Sequence, residues 1–258
     1  MTDEQAHAAS SERGYFSETQ APIYSAALVL PFLLVYQTGL IVLRSRVING
    51  GDAIIATLSQ KIFHAVGVQA SFASIVVPIC AFLIWQFKKK GPWTLQPQLL
   101  AATFFESLIY AVVLYMLLGY FVHFLPPGSF TAPQLVPMAA IHGKMRPGIG
   151  DFVLFCGAGV YEELVFRVFL LGLLMLVFTK LFHMEHAYAA AWSTVAGAMI
   201  FSAFHHIGGD PIKTGVFLQR VVAGIYFSAI YFTRSFGVAA ATHALYDIVV
   251  GLDQWKHG

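Results

Sequence analysis

The sequence predicts an all-α fold, a polytopic bundle of about seven to eight transmembrane helices. Of its 258 residues, 58% are hydrophobic and only 11% are charged, and the mean hydropathy is +0.71. Soluble domains carry about 25% charged residues, so this composition favours the membrane class. Several apolar stretches reach the roughly 20 residues that a helix needs to cross a bilayer. A helix also pairs its backbone groups internally, as lipid requires.

The N-terminal part of the chain divides into a polar tail and a group of apolar segments. Residues 1–21 are predicted to form a polar, partly disordered tail that lacks the basic and apolar regions of a signal peptide. Residues 22–145 are predicted to hold the N-terminal transmembrane helices and their connecting loops. The predicted spans in this part are Pro22–Leu43, Ser71–Phe87 and Gln98–Val122.

Two connecting segments of this part have a composition of their own. Residues 52–69 are amphipathic and include Lys61 and His64, which predicts an interfacial or re-entrant helix. Residues 123–148 contain five prolines. Because proline removes a helical hydrogen bond, this segment is predicted to be a loop.

Residues 146–258 are predicted to form a second helical unit that carries a catalytic cavity in the C-terminal half. Its first stretch, residues 149–182, is long enough for one tilted helix that projects beyond the bilayer. Spans over residues 187–206, 216–233 and 236–252 follow. The net charge of +2 is too small to indicate a nucleic-acid partner. Cys80 and Cys156 lie in apolar segments and are predicted to be small buried hydrophobic residues, not a disulfide.

A set of six ionisable residues on three of the C-terminal spans should lie inside lipid: Glu162, Glu163, Arg167, His205, His243 and Asp247. An ionised side chain at the bilayer centre costs about 2.5–3.5 kcal/mol even on lenient insertion scales. Such residues normally face the protein interior or a water-filled cavity, and they indicate a functional site. We therefore expect three of them to share one polar cavity: Glu162, His205 and His243.

The first of these spans contains Glu162, Glu163 and Arg167. On a helix Glu163 and Arg167 are i,i+4 neighbours that can pair, whereas Glu162 points roughly 100° away from Glu163. One carboxylate is thus neutralised by arginine while the other is left for acid–base chemistry. The alternative is a buried ion network without a catalytic role, although such clusters are weak sources of stability.

The other two spans contribute histidines. His205 and His206 end an apolar stretch just before Gly208 and Gly209. Of the two, His206 has the weaker claim to a functional role, because its side chain faces a different direction from that of His205. His243 and Asp247 share one helical face. The small residues Ala239 and Ala240 precede them and allow a neighbouring helix to approach closely.

The three elements together read E-E-x-x-x-R, F-x-x-x-H and H-x-x-x-D, in this order on successive helices between about residues 150 and 252. This pattern resembles the CPBP family, which comprises the CAAX prenyl endoproteases and the bacteriocin-processing or Abi proteins. The resemblance implies an intramembrane endopeptidase of the glutamate type that needs no metal or other cofactor. It further implies a membrane-protein or lipidated peptide substrate and a place in the lipid bilayer of the bacterial cell (inner) membrane.

The resemblance also implies roles for the six residues. Glu162 corresponds to the general base, and His205 helps it to orient and deprotonate the attacking water. His243 and Asp247 would stabilise the oxyanion. The supporting residues Glu163 and Arg167 would hold the helix geometry.

The aspartate at position 247 is one departure from the family pattern. The eukaryotic CAAX proteases carry Asn at the matching position, whereas many bacterial relatives are similar to this chain in having Asp. An amide donates a hydrogen bond directly, whereas an ionised carboxylate cannot. Asp247 must therefore be protonated, act through water, or orient His243. Because the i,i+4 spacing puts its carboxylate beside the imidazole, we expect Asp247 to accept a hydrogen bond from His243 and to fix its tautomer.

A zinc-dependent intramembrane metalloprotease is the nearest alternative. Glu162, His205, His243 and Asp247 are all competent zinc ligands, but the chain has no H-E-x-x-H motif. Residues 183–186 read His-Met-Glu-His and are predicted to form a solvated loop at a helix junction.

A non-catalytic transporter or scaffold is the alternative from a different class. Proton-coupled transporters also carry ionisable residues inside the membrane. Glu106 would suit a proton path, or it could pair with Arg220. The chain lacks the inverted repeat expected of many transporters.

Overall fold

The computed structural model describes residues 14–43, 51–54, 57, 73–91, 93–126, 129, 137, 148–207 and 213–257. Within these residues the regular secondary structure is helical throughout, which confirms the predicted all-α class. The helices are α1 (Tyr15–Thr19), α2 (Pro22–Val42), α3 (Ala73–Lys89), α4 (Pro97–Val122), α5 (Ile149–Leu181), α6 (His186–Ile207), α7 (Thr214–Thr233) and α8 (Phe236–His257).

Six of the described helices, α2 and α4 to α8, are long and apolar enough to span a membrane. Their outer surfaces carry large apolar side chains, such as Leu34, Phe105 and Met116, that are about half exposed or more and suit contact with lipid. The protein is thus a polytopic helical bundle, as predicted. Helix α3 has 17 residues and is not among the six, although the sequence predicted a span there.

Two predicted connecting segments lie mostly outside the described residues. Of the predicted interfacial helix over residues 52–69, the structure describes 52–54, which are helical together with Gly51, and Thr57. Of the predicted loop over residues 123–148, it describes 123–126, 129, 137 and 148.

The N-terminal segment differs from the predicted polar tail, because residues 15–19 form helix α1 and pack on the bundle. The Tyr15 hydroxyl donates to Glu106 Oε2 at 2.7 Å. Glu106 also accepts two hydrogen bonds from Arg234, at 2.5 and 2.7 Å. Of the two alternatives for Glu106, the pairing with Arg220 is therefore wrong, because Arg234 is its partner. Arg234 follows α7 directly, and so it meets the N-terminal half of α4, where Glu106 lies.

Helix α5 is one continuous helical stretch of 33 residues, as predicted. Two parts of it, Leu164–Leu171 and Val177–Leu181, have the wider π-helical turn. The first begins immediately after Glu163. Short π-helical segments inside α-helices are frequent at functional sites, and this one contains Arg167.

Helix α8 lies at the centre of the bundle, since 78% of its apolar span is buried, against at most 44% for the other five spans. It packs against α5, α4, α2 and α7. The contact with α5 is very close: a Cβ built on Gly159 would lie 2.5 Å from the Cβ and the backbone nitrogen of Ala244. The close helix approach expected around Ala240 is confirmed, because its carbonyl oxygen also lies against Gly159.

The two cysteines are free and differ in exposure. Cys156 is buried, as predicted, but Cys80 is exposed on α3. The prediction that Cys80 is buried is therefore wrong, because that face of the short helix α3 is left uncovered by the rest of the described chain.

Substituting Gly159 with alanine should separate α5 from α8. The added methyl group meets the backbone of α8, which cannot yield like a flexible side chain, so we expect a loss of about 1–3 kcal/mol in the free energy of unfolding. Denaturant unfolding in detergent measures this change.

The matched control is Gly172→Ala, in the same helix, where a Cβ meets nothing within 4 Å. It should be neutral or stabilise by up to about 1 kcal/mol, because alanine is the better helix former. Equal destabilisation by both changes would contradict the close contact between α5 and α8.

Candidate active site

Three helices bring the six predicted residues together in the interior of the bundle. Helix α5 carries Glu162, Glu163 and Arg167, helix α6 carries His205 near its C-terminal end, and helix α8 carries His243 and Asp247. None of the six is more than 7% exposed. A cluster of this kind must satisfy its own charges and hydrogen bonds, since burial removes water as a partner.

Glu162, His205, His243 and Asp247 face one another at short range. Glu162 Oε2 lies 3.5 Å from His205 Nε2 and 4.0 Å from His243 Nε2. Asp247 Oδ2 lies 3.7 Å from the same His243 nitrogen. These separations exceed those of a direct hydrogen bond, and they bring four polar side chains together around Glu162 Oε2 and His243 Nε2.

The His205 ring is fixed by the backbone of its own helix. Its Nδ1 lies 2.8 Å from the carbonyl oxygen of Phe201, which can only accept, so Nδ1 carries the hydrogen. In the neutral ring Nε2 is then a hydrogen-bond acceptor. This acceptor nitrogen is the one that faces Glu162.

Glu163 joins two helices through a shared carboxylate. Its Oε1 accepts a hydrogen bond from His243 Nδ1 at 2.8 Å, while its Oε2 lies 3.0 Å from Arg167 Nε. The pairing of Glu163 with Arg167 was expected, but the bond to His243 was not. The tautomer of His243 is therefore set by Glu163, and the prediction that Asp247 fixes it is wrong. Asp247 lies at the other ring nitrogen.

Aromatic rings hold the Arg167 guanidinium inside the bundle. Its carbon lies 4.9 Å from the ring centre of Phe201 and 5.5 Å from that of Phe227, as in cation–π pairs. Phe227 also stacks on the His243 ring, at 4.7 Å and 12°. Phe201 thus touches the arginine and both histidine rings, which explains the phenylalanine of the F-x-x-x-H pattern.

The remaining candidates lie away from this cluster. His206 stacks on Phe217, in agreement with its weaker claim. His183, Glu185 and His186 are exposed at the junction of α5 and α6, as predicted. Within the described residues, no three His, Cys, Asp or Glu side chains have an arrangement that could hold a metal ion.

Sequence reasoning missed two contributors to the site. Phe227 is one of many phenylalanines in apolar spans, and nothing local marks it as the ring that stacks on His243. Asp52, which is 4% exposed, accepts a hydrogen bond from Tyr36 and lies next to Gly51, which contacts the backbone of Glu162. The only signal for Asp52 was an acidic residue at the start of an amphipathic segment.

The fold and the cluster define a class: an integral membrane protein with a buried carboxylate–histidine centre. Residues 149–249 match the family model described as Rce1-like, type II CAAX prenyl endopeptidase. This range contains all six clustered residues. The match identifies residues 149–249 as an Rce1-like CAAX endopeptidase domain, which confirms the CPBP resemblance over that part of the chain. This family acts on membrane-associated protein substrates. No curated protein and no solved structure matches the chain.

Replacing Glu163 with glutamine should strongly destabilise the protein. Arg167 would keep its buried charge but lose the carboxylate that it pairs with directly, a change that costs about 3–5 kcal/mol in comparable buried pairs. Unfolding in detergent measures the loss.

The double variant Glu163→Gln with Arg167→Met removes both charges and should recover part of this loss. If Glu163→Gln changed the stability by less than about 1 kcal/mol, the range typical of exposed pairs, the buried ion pair would be contradicted.

Proposed function

We propose that this protein is an intramembrane endopeptidase of the glutamate type. It hydrolyses a peptide bond in a membrane-anchored or lipidated protein substrate. The observation that carries the proposal is the buried group of Glu162 Oε2, His205 Nε2 and His243 Nε2, with 3.5 and 4.0 Å between the carboxylate and the two nitrogens.

Glu162 and His205 suit the activation of one water molecule. Both present acceptor atoms, so a water that contacts both donates one hydrogen to each and directs a lone pair away from them. Attack on the scissile carbonyl forms the carbon–oxygen bond as the water proton passes to Glu162, the general base. The same proton then goes to the leaving nitrogen as the carbon–nitrogen bond breaks.

His243 suits the stabilisation of the oxyanion. Because its Nδ1 is bound to Glu163, a protonated ring offers the Nε2 hydrogen to a developing negative charge. The carboxylates of Glu162 and Glu163 lie at the two nitrogens of this ring, so a proton on His243 reduces the negative charge of the buried cluster. The stacked ring of Phe227 holds the imidazole in this orientation.

Asp247 lies beside Nε2 of His243, the ring nitrogen proposed to stabilise the oxyanion. Its carboxylate lies 3.7 Å from His243 Nε2, so it acts there as a protonated donor or through a water. With Tyr246 completely buried beside it, the position is well screened from solvent. We place the protein in a bacterial cell membrane, since many bacterial relatives of this family are similar to this chain in having aspartate at the position of Asp247.

The family match supports a peptidase over a transporter or scaffold. Glu106, the residue that suited a proton path, is bound to Arg234 and Tyr15. We propose no nucleic-acid partner and no metal cofactor.

The Glu162→Gln variant should lose at least about 10²-fold in kcat while it stays folded, because an amide cannot accept the water proton. Substrates are found by comparing the termini of membrane proteins from cells that express the parent or the variant. A peptide from such a terminus then serves for kinetics in detergent or nanodiscs.

Glu185→Gln is the control for this change, since Glu185 is an exposed glutamate at the junction of α5 and α6. It should leave kcat unchanged. Normal turnover by Glu162→Gln would show that another group is the base. Activity that a chelator removes and zinc restores would instead support the metalloprotease alternative.

Asp247→Asn should keep kcat within about tenfold of the parent, because asparagine is a permanent donor at the same place. Asp247→Ala should lose about 10²-fold or more, as for other oxyanion donors. Steady-state kinetics at neutral pH compares the two. If the asparagine variant were as inactive as the alanine variant, Asp247 would be needed as an anion.

A further inference from the structure

Residues 51–54 form a helical segment that lies directly on α5, the helix that carries Glu162. A Cβ built on Gly51 would lie 2.7 Å from both the backbone nitrogen of Glu162 and the carbonyl carbon of Tyr161. Backbone meets backbone here, and only a residue without a side chain fits. The segment therefore rests on the peptide bond that leads into Glu162.

Asp52 holds this segment in place through a buried hydrogen bond. It is 4% exposed, and its Oδ2 accepts the hydroxyl hydrogen of Tyr36 at 2.9 Å. Tyr36 on α2 is itself completely buried. Its ring lies against Gly157 of α5, where a Cβ would approach it to 2.5 Å.

The partner of Asp52 is in turn fixed against the residue before Glu162. The rings of Tyr36 and Tyr161 pack with 5.4 Å between their centres. The Tyr161 hydroxyl accepts a hydrogen bond from Gln37 Nε2 at 2.8 Å. Asp52, Tyr36 and Tyr161 thus form a continuous set of contacts that ends one residue from the proposed general base.

We propose that Asp52 is a positioning residue: its bond with Tyr36 clamps residues 51–54 onto the Tyr161–Glu162 peptide and so sets the Glu162 carboxylate against His205 and His243. This inference rests on the proposed function and extends it to a segment outside the matched domain. Displacement of a reacting group by about 1 Å can cost on the order of 10²-fold in rate. A clamp at the backbone of the proposed base therefore affects the rate through the position of Glu162.

The experiment compares Asp52→Leu, Tyr36→Phe and the double variant by steady-state kinetics on one peptide substrate. Each single change should lower kcat by about 10- to 100-fold and leave KM within about twofold, since binding contacts are untouched. Because the two residues act through one bond, the double variant should be no slower than the worse single variant.

The matched control is Tyr15→Phe, which removes another tyrosine–carboxylate hydrogen bond, the 2.7 Å bond to Glu106. It should leave kcat unchanged. Unchanged kcat in both Asp52→Leu and Tyr36→Phe would overturn the proposal. Equal losses of kcat in Tyr15→Phe and Tyr36→Phe would also overturn it, since general loosening would then explain the effect.

Asp52→Asn provides a rescue test. Burial raises the pKa of the Asp52 carboxyl, which the hydrogen bond from Tyr36 opposes, and so a neutral acceptor suits the site. The asparagine oxygen still accepts from Tyr36, and kcat should return to within about threefold of the parent. An asparagine variant as slow as Asp52→Leu would overturn the role assigned to this bond.

Hydrogen exchange tests the clamp without any assay of turnover. Peptides that contain residues 51–54 should exchange at least about tenfold faster in Tyr36→Phe than in the parent and at the parental rate in Tyr15→Phe. Unchanged exchange in Tyr36→Phe would contradict the clamp. If the exchange result holds but Glu162→Gln retains its activity, the clamp stands and the proposed function fails.

Discussion

The carboxylate of Glu163 is the constraint on which the rest of the site depends. One of its oxygens binds His243 Nδ1 and the other lies beside Arg167 Nε, so a single buried anion sets the register of α5 against α8. Because that bond consumes Nδ1, it leaves His243 Nε2 to face Glu162 and Asp247. The neighbouring Glu162, one residue earlier on the helix, faces His205 and His243 in the same arrangement.

Keeping this charge buried requires support from the surrounding packing. The helices must approach closely enough for a short hydrogen bond, and the contact of Gly159 with Ala244 provides that approach. The guanidinium of Arg167 must lose its water, and the rings of Phe201 and Phe227 replace part of that hydration. Small residues and aromatic rings thus support one arrangement of buried charges, which would be unfavourable without them.

Local spacing predicted much of the fold and part of the site. The apolar stretches marked the helices, and the i,i+4 relation gave the pair of Glu163 with Arg167. The same spacing rule failed for His243 and Asp247, since a partner on another helix took the ring nitrogen. Sequence patterns likewise did not show that Glu106 meets Arg234 instead of Arg220, or that Asp52 meets Tyr36. These pairs depend on how helices are arranged in space, and no local periodicity encodes that arrangement.

The central claim is that Glu162 and His205 act on the same water molecule. A double-mutant cycle in kcat tests it most directly, with Glu162→Gln, His205→Gln and the double variant measured on one substrate. If both groups hold one water, the second change has little left to remove, and the double variant should be no slower than the worse single variant. Losses that multiply in the double variant would show that the two residues act independently and would contradict the shared water.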